Sequence, residues 1–283
     1  MAPREENIST DAASLEDITR IYLIRHGDRF DYANPSWHDS AKKNGTLVTD
    51  PPLSALGHRQ AKETAKYLME SIQDQNGERH GVSKILVSPY VRVIQTAVPT
   101  SDTLNLPLSI ETGLSEAHAT PGNVLPTPNQ RFAYFPHIDT TYAPLLQFEP
   151  TPGRTCPKTG HPCEAFAGHY VKRMGEFARR VEETYRGQTI VCFSHAASVA
   201  LVAAFLKCSM REFKFAPCGV YELKRRGDGP WELVSNGEAN AHVSENSPTT
   251  YPWGFGEKHF KEGEGKYYGE SEGIDLDYFV NSD

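Results

Sequence analysis

Three short apolar runs break off abruptly into chemically active residues. Arg20-Ile21-Tyr22-Leu23-Ile24 ends in Arg25-His26-Gly27, Lys84-Ile85-Leu86-Val87 ends in Ser88-Pro89-Tyr90-Val91-Arg92, and Thr189-Ile190-Val191-Cys192-Phe193 ends in Ser194-His195-Ala196-Ala197-Ser198. Runs of four or five apolar, partly β-branched residues bounded by turn signals read as buried strands. Patterns of helical period follow each, and strands alternating with helices imply a largely parallel sheet. Open α/β sheets bind ligands beyond the carboxyl ends of their strands, where these histidines and arginines fall. Gly27, lacking a Cβ, is expected to let the chain turn and to leave room for a bound group beside His26. A lone Arg-His-Gly recurs by chance; the repetition of the arrangement gives it weight.

The residue types suit phosphoryl transfer, which needs an in-line nucleophile and cations around the equatorial oxygens. His26 is the candidate nucleophile, since a neutral imidazole is available near neutral pH. Arg25 and Arg92 are candidate clamps, because guanidinium groups match phosphate oxygens bidentately. His195 is a further pocket member, protonated or donating a hydrogen bond to the same phosphate. Glu116, in Leu114-Ser115-Glu116, is the candidate general acid and base, and a carboxyl beside a dianionic phosphate has its pKa raised. Each has a plainer alternative: Arg92 as an exposed helical arginine, His195 as a cap on the sheet edge, and Glu111 in place of Glu116.

These segments, in this order, resemble the histidine phosphatase superfamily, in the branch shared with cofactor-dependent phosphoglycerate mutases, over roughly residues 20–235. The resemblance implies a three-layer α/β sandwich, a mainly parallel sheet with helices on both faces, and a phosphomonoesterase working through phospho-His26 without metal or cofactor. Asp28-Arg29-Phe30-Asp31 and Asp50-Pro51-Pro52-Leu53-Ser54 are similar to the phosphatase domain of the suppressor of T-cell receptor signalling proteins, which implies that Arg29 is an extra phosphate ligand. His195-Ala196-Ala197-Ser198 and Trp231-Glu232-Leu233-Val234-Ser235-Asn236-Gly237-Glu238 look like the phosphatase-like subunits of the RNA polymerase III general factor. Asp28 departs from the Glu common in the family, and Ala196-Ala197 from its Gly; neither is a phosphate ligand. The expected substrate is a phosphorylated small molecule or phosphoprotein. A mutase or bisphosphatase acting on sugar or glycerate phosphates, and a non-catalytic subunit of a transcription or signalling complex, are the alternatives. A homodimer or a place in a protein complex is left open.

The chain divides into a polar segment at 1–17, expected to be disordered, a phosphatase domain at 18–240, and an extension at 241–283 whose aromatics are expected to pack and whose acidic end is expected to be disordered. Residues 30–52 are expected to form a loop with Phe30, Tyr32 and Trp37 on it. Ser54 is expected to cap a helix that stops near Gly77, and Pro99 to kink or shorten the helix after Tyr90. Residues 164–185 carry one apolar helical face, and strands close the domain near 219–224 and 231–235. The stretch 119–163 contains nine prolines and little periodicity, and is expected to be a lid over the pocket. Its Cys156, His161 and Cys163 lack an obvious fourth ligand for zinc. The formal charge of −7 argues against broad nucleic-acid binding. No run is long enough to span a bilayer, and five cysteines point to a reducing compartment, so a cytoplasmic or nuclear protein is expected.

Overall fold

The computed structural model describes residues 18–45, 47–72, 81–117, 125–155, 162–246, 252–255 and 274–281. The apolar runs become strands buried on both faces. In β1 (Ile18–Arg25), Ile21 and Leu23 enter one hydrophobic cluster while Tyr22 and Ile24 enter another. In β4 (Thr189–Ser194), Ile190 and Cys192 are parted from Val191 and Phe193 in the same way. Strands covered on both faces lose the apolar–polar alternation of a half-exposed sheet, hence the continuous runs. With β2 (Val82–Val87), β3 (Leu108–Ile110), β5 (Val220–Arg226) and β6 (Glu232–Ser235) they form one sheet of order β3-β2-β4-β1-β5-β6. The first four are mutually parallel, β5 runs antiparallel to β1, and β6 antiparallel to β5.

Helices cover both faces. Leu68 of α3 (Ala55–Ser71) and Val93, Ile94 and Ala97 of α4 (Val91–Leu104) pack in one cluster. The other holds Met174, Phe177 and Val181 of α6 (Val171–Thr184) and Val199 to Phe205 of α7 (Val199–Leu206). The sandwich expected from the sequence is therefore present.

Two of these helices brace the turn after β1. The Ser54 hydroxyl caps α3 by accepting from Gly57 N at 3.0 Å and donates to Asp28 Oδ2 at 2.6 Å. Asp28 N donates to Gln60 Oε1 at 2.9 Å, and Gly27 N to Thr96 Oγ1 on α4 at 3.1 Å. The reason given for Gly27 needs correcting. A Cβ there would lie 2.9 Å from Gly57 O and 3.3 Å from Cys218 Sγ, so the glycine admits the first turn of α3 and the 218 turn rather than a bound group.

Several local expectations also change. Residues 30–52 contain two short helices, α1 (Phe30–Ala33) and α2 (Trp37–Lys43), and Phe30 meets Trp37 edge-on with ring centroids 5.8 Å apart. Pro99 does not shorten α4, which continues to Leu104. Buried Ala97 before it and buried Thr100 and Ser101 after it hold the helix to the sheet despite the missing N–H. Within 119–163, α5 (Pro128–Phe132) starts with a capping box at Thr127, Ile138 bridges to Leu108, and Arg131 pairs with Asp50. Cys156, His161, Gly77 and residues 1–17 lie outside the described residues; Cys163 is buried.

The extension packs as its aromatics suggest: Trp253 bridges Phe215 in both directions and Phe255 is fully buried. Its last described residues pack as well, while the acid-rich stretch 256–273 lies outside the described residues. Leu276 and Phe279 join the α6–α7 core, the latter from α8 (Tyr278–Asn281), and Met210 N donates to Leu276 O at 2.9 Å. Among the described residues no helix is long and apolar enough to cross a membrane.

Because Ser54 both caps α3 and holds buried Asp28, Ser54→Ala should lower the unfolding free energy by about 1–2 kcal/mol in urea titration. An unchanged midpoint would mean that α3 is anchored elsewhere.

Candidate active site

Strands β1 and β4 are neighbours whose outgoing connections leave in opposite directions, β1 leading through α3 to β2 and β4 through α7 to β5. Such a switch point opens a crevice at the carboxyl edge. The backbone ties the strand ends together there: His26 N donates to Ser194 O at 3.0 Å, Ser88 N to Phe193 O at 3.1 Å, and Glu111 N to Val87 O at 2.8 Å. His26, Arg92, Glu116 and His195, spread over much of the sequence, consequently meet.

His26 is 2% exposed, and its Nδ1 lies 2.8 Å from Gly27 O. A carbonyl only accepts, so Nδ1 carries the hydrogen and Nε2 keeps the lone pair. Burial first, then the charges of Arg92 and Arg25, push its pKa well below the ordinary imidazole value. The ring is therefore neutral at physiological pH.

His195 is fully buried, and its ring centroid lies 5.5 Å from that of His26. Its Nε2 is 2.7 Å from Ser88 Oγ, and its Nδ1 is 3.1 Å from Arg92 Nη2 and 3.2 Å from Glu116 Oε2. Burial lowers its pKa to about 4 against the opposing pull of Glu116, so the protonated state is disfavoured. In the neutral ring Arg92 can only donate to Nδ1, and Nε2–H then donates to Ser88. Glu116 stands ready to accept from Nδ1 once a proton is added.

Arg92 is 2% exposed, which excludes the surface-arginine alternative. Besides His195, its Nη2 reaches Glu116 Oε2 at 3.4 Å, while its Nε and Nη1 have no hydrogen-bond partner. Asp50 Oδ1, 3.9 Å from Nη1, is bound instead to Val91 N at 2.8 Å. Arg25 donates to Phe215 O at 2.5 Å, and burial lowers its pKa to about 10, leaving it charged. Arg29 adjoins the group, and its charge acts on Arg92, Glu116 and His195. Its Nε and Nη2 bind both oxygens of Asp31 at 3.0 and 2.8 Å, and its Nη1 bonds the Tyr32 hydroxyl at 3.2 Å.

Burial by itself would raise the Glu116 carboxyl, but His195, Arg92 and Arg29 together hold it well below the carboxylate range. The pocket without an anion thus sets Glu116 opposite to the direction expected beside a phosphate. Glu111 is no rival for its place. Its carboxylate is fully buried and accepts from Gly113 N, Leu145 N, Leu146 N and the Tyr142 hydroxyl at 2.8 to 3.3 Å.

Sequence reasoning assigned no role to Ser88 or Asp50, although both lay inside quoted motifs, and did not find Arg173. It also missed that His26, Glu116 and His195 place one potential ligand atom each within 4.8 Å of one another, a set able to hold a metal ion. Ligands from three distant segments leave no spacing signal. Arg92 and Arg25, however, put a positive field on the same space, which favours an anion over a divalent cation.

The model of the Histidine phosphatase superfamily (branch 1) matches residues 21–238. The Transcription factor tau 55 kDa subunit of Saccharomyces cerevisiae is 26% identical over 183 residues, which is 64% of this chain and 39% of that protein. The chain therefore spans well under half of that relative. The crystal structure of an ecdysone phosphate phosphatase from Bombix mori, in complex with tungstate, shares the fold with a TM-score of 0.55 at 20% identity, over 81% of this chain and 95% of that one. With the family model covering the sheet, the switch-point crevice and every residue gathered there, the chain belongs to the Histidine phosphatase superfamily (branch 1).

Proposed function

We propose that the protein is a phosphomonoesterase that forms phospho-His26. One observation carries the reading: buried Arg92 holds Nε and Nη1 donors without partners, in a pocket whose charges keep His26 neutral. A phosphoryl group would take those donors, Arg25 would add to its binding, and His195 would add to it once the anion's charge had protonated Nδ1. His26 Nε2 attacks phosphorus, so that the P–N bond forms as the P–O ester bond breaks. Glu116 gives its proton to the departing oxygen, then takes one from the water that cleaves the P–N bond. Arg29 contributes field rather than a bond while Asp31 holds its guanidinium. The reaction needs no metal on this reading, since the guanidinium groups neutralise the transferred charge.

The relative in yeast favours a second reading, in which the chain is a phosphatase-fold subunit of a nuclear transcription complex without catalytic turnover. The full set of His26, Arg25, Arg92, Glu116 and His195 supports catalysis instead.

Three measurements follow. Hydrolysis of nitrophenyl phosphate should persist in a strong chelator; loss on chelation with recovery on adding zinc or magnesium would transfer the role to a metal on His26, Glu116 and His195. Glu116→Gln should slow alkyl phosphate hydrolysis by about 10²–10⁴ and nitrophenyl phosphate hydrolysis far less, because only the alkoxide needs a proton to leave. Equal losses would make Glu116 structural, and no turnover on any phosphomonoester would favour the subunit.

The third concerns protonation. Glu116 is ionised in the free pocket because cations depress its pKa, and an anion that offsets those cations must raise it. Vanadate binding near pH 6 should therefore take up a proton, read by calorimetry in buffers of different ionisation enthalpy. Glu116→Gln should abolish the uptake, and equal heats in all buffers would contradict the account.

A further inference from the structure

Arg173 lies on α6, which contributes no side chain to the pocket, yet its buried guanidinium binds the segment that bears Glu116. Its Nη1 donates to Gly113 O at 2.6 Å, and its Nη2 to Ser115 O at 3.1 Å and Glu116 O at 3.4 Å. Nε and Nη2 also hold both oxygens of Glu164 at 2.8 Å. The rings of Tyr170 and Phe148 lie 4.9 and 5.4 Å from its central carbon.

Packing alone does not call for this arrangement, because Met174 and Phe177 fill the same helix face with apolar groups. A buried ion pair is weak evidence for stability, its desolvation cost offsetting most of the attraction. What a guanidinium adds is direction, through donors fixed in a plane. The carbonyls it takes come from and just after the short 3₁₀ turn Thr112–Leu114, whose end leaves backbone acceptors without helical partners. The same fork holds the Glu164 carboxylate, and the Phe148 ring lies against it.

We infer that Arg173 is a positioning residue for Glu116: it fixes the backbone at 113–116 so that the carboxylate stands against His195 and Arg92, and it joins that placement to Glu164. The catalytic consequence rests on the proposed role of Glu116 as general acid, whereas the placement does not.

Two variants of the full chain test this. Arg173→Lys keeps the charge opposite Glu164 but cannot span the carbonyls. The double variant Arg173→Met with Glu164→Gln removes both charges, so no lone carboxylate is left buried. In each, kcat for an alkyl phosphate should fall about 10- to 100-fold more than kcat for nitrophenyl phosphate, the scale of a misplaced catalytic group, with KM little changed. Adding Glu116→Gln should cause no further selective loss. A ¹³C titration of the Glu116 carboxyl without substrate reads placement directly, and in both variants it should move up towards the ordinary carboxylate range. A native-like titration with equal losses on both substrates would overturn the inference. If the titration moves while Glu116→Gln itself shows no leaving-group preference, the positioning holds and the acid assignment falls.

Discussion

Positive charge held out of water beside two histidines governs this molecule. Arg25 and Arg92 are almost wholly buried, Arg29 adjoins them, and Arg92 meets the carboxylates of Glu116 and, more distantly, Asp50. Burying a guanidinium with unpaired N–H groups costs free energy that the rest of the fold must offset. The same field has two further effects. Together with burial it keeps the His26 imidazole neutral, and together with His195 it holds the Glu116 carboxyl ionised. Anion affinity, a lone pair at the proposed nucleophile and proton uptake on binding are thus consequences of one charge arrangement.

The sheet makes that arrangement affordable only because its strand ends are cross-tied. Bonds from His26 to Ser194, Ser88 to Phe193 and Glu111 to Val87 set the pocket's backbone. Behind it, Ser54 and Gln60 of the α3 region hold Asp28, and Thr96 of α4 holds Gly27. On the far side Glu111 gathers the backbone N–H groups of Gly113, Leu145 and Leu146, while Arg173 gathers carbonyls of the same turn. The backbone leading to Glu116 is thus held by two buried polar side chains that do not bond each other.

Most of the sheet and the pocket's first layer could be read from the chain because each signal is local. An apolar run followed at once by Arg25-His26-Gly27 or Ser194-His195 states both the strand and what its end presents. The supporting layer could not be read that way. Asp50, Glu111 and Arg173 act chiefly on partners far off in sequence, so nothing near them announces a role. Gly27 was recognised, but for the wrong neighbour, since its contact with Gly57 depends on how α3 returns to the sheet. Pro99 did not end α4, because packing on both sides outweighed one missing hydrogen bond. The direction of the Glu116 shift was hidden for the same reason: it depends on His195, Arg92 and Arg29, which the fold collects around it.

Trapping the phosphorylated protein tests the central claim most directly. A reaction on a phosphomonoester, quenched in alkali during turnover and mapped by mass spectrometry, should show acid-labile phosphate on His26, and His26→Ala should lose both the label and turnover while keeping its fold. Turnover without a labelled His26, or near-normal turnover in His26→Ala, would contradict the account.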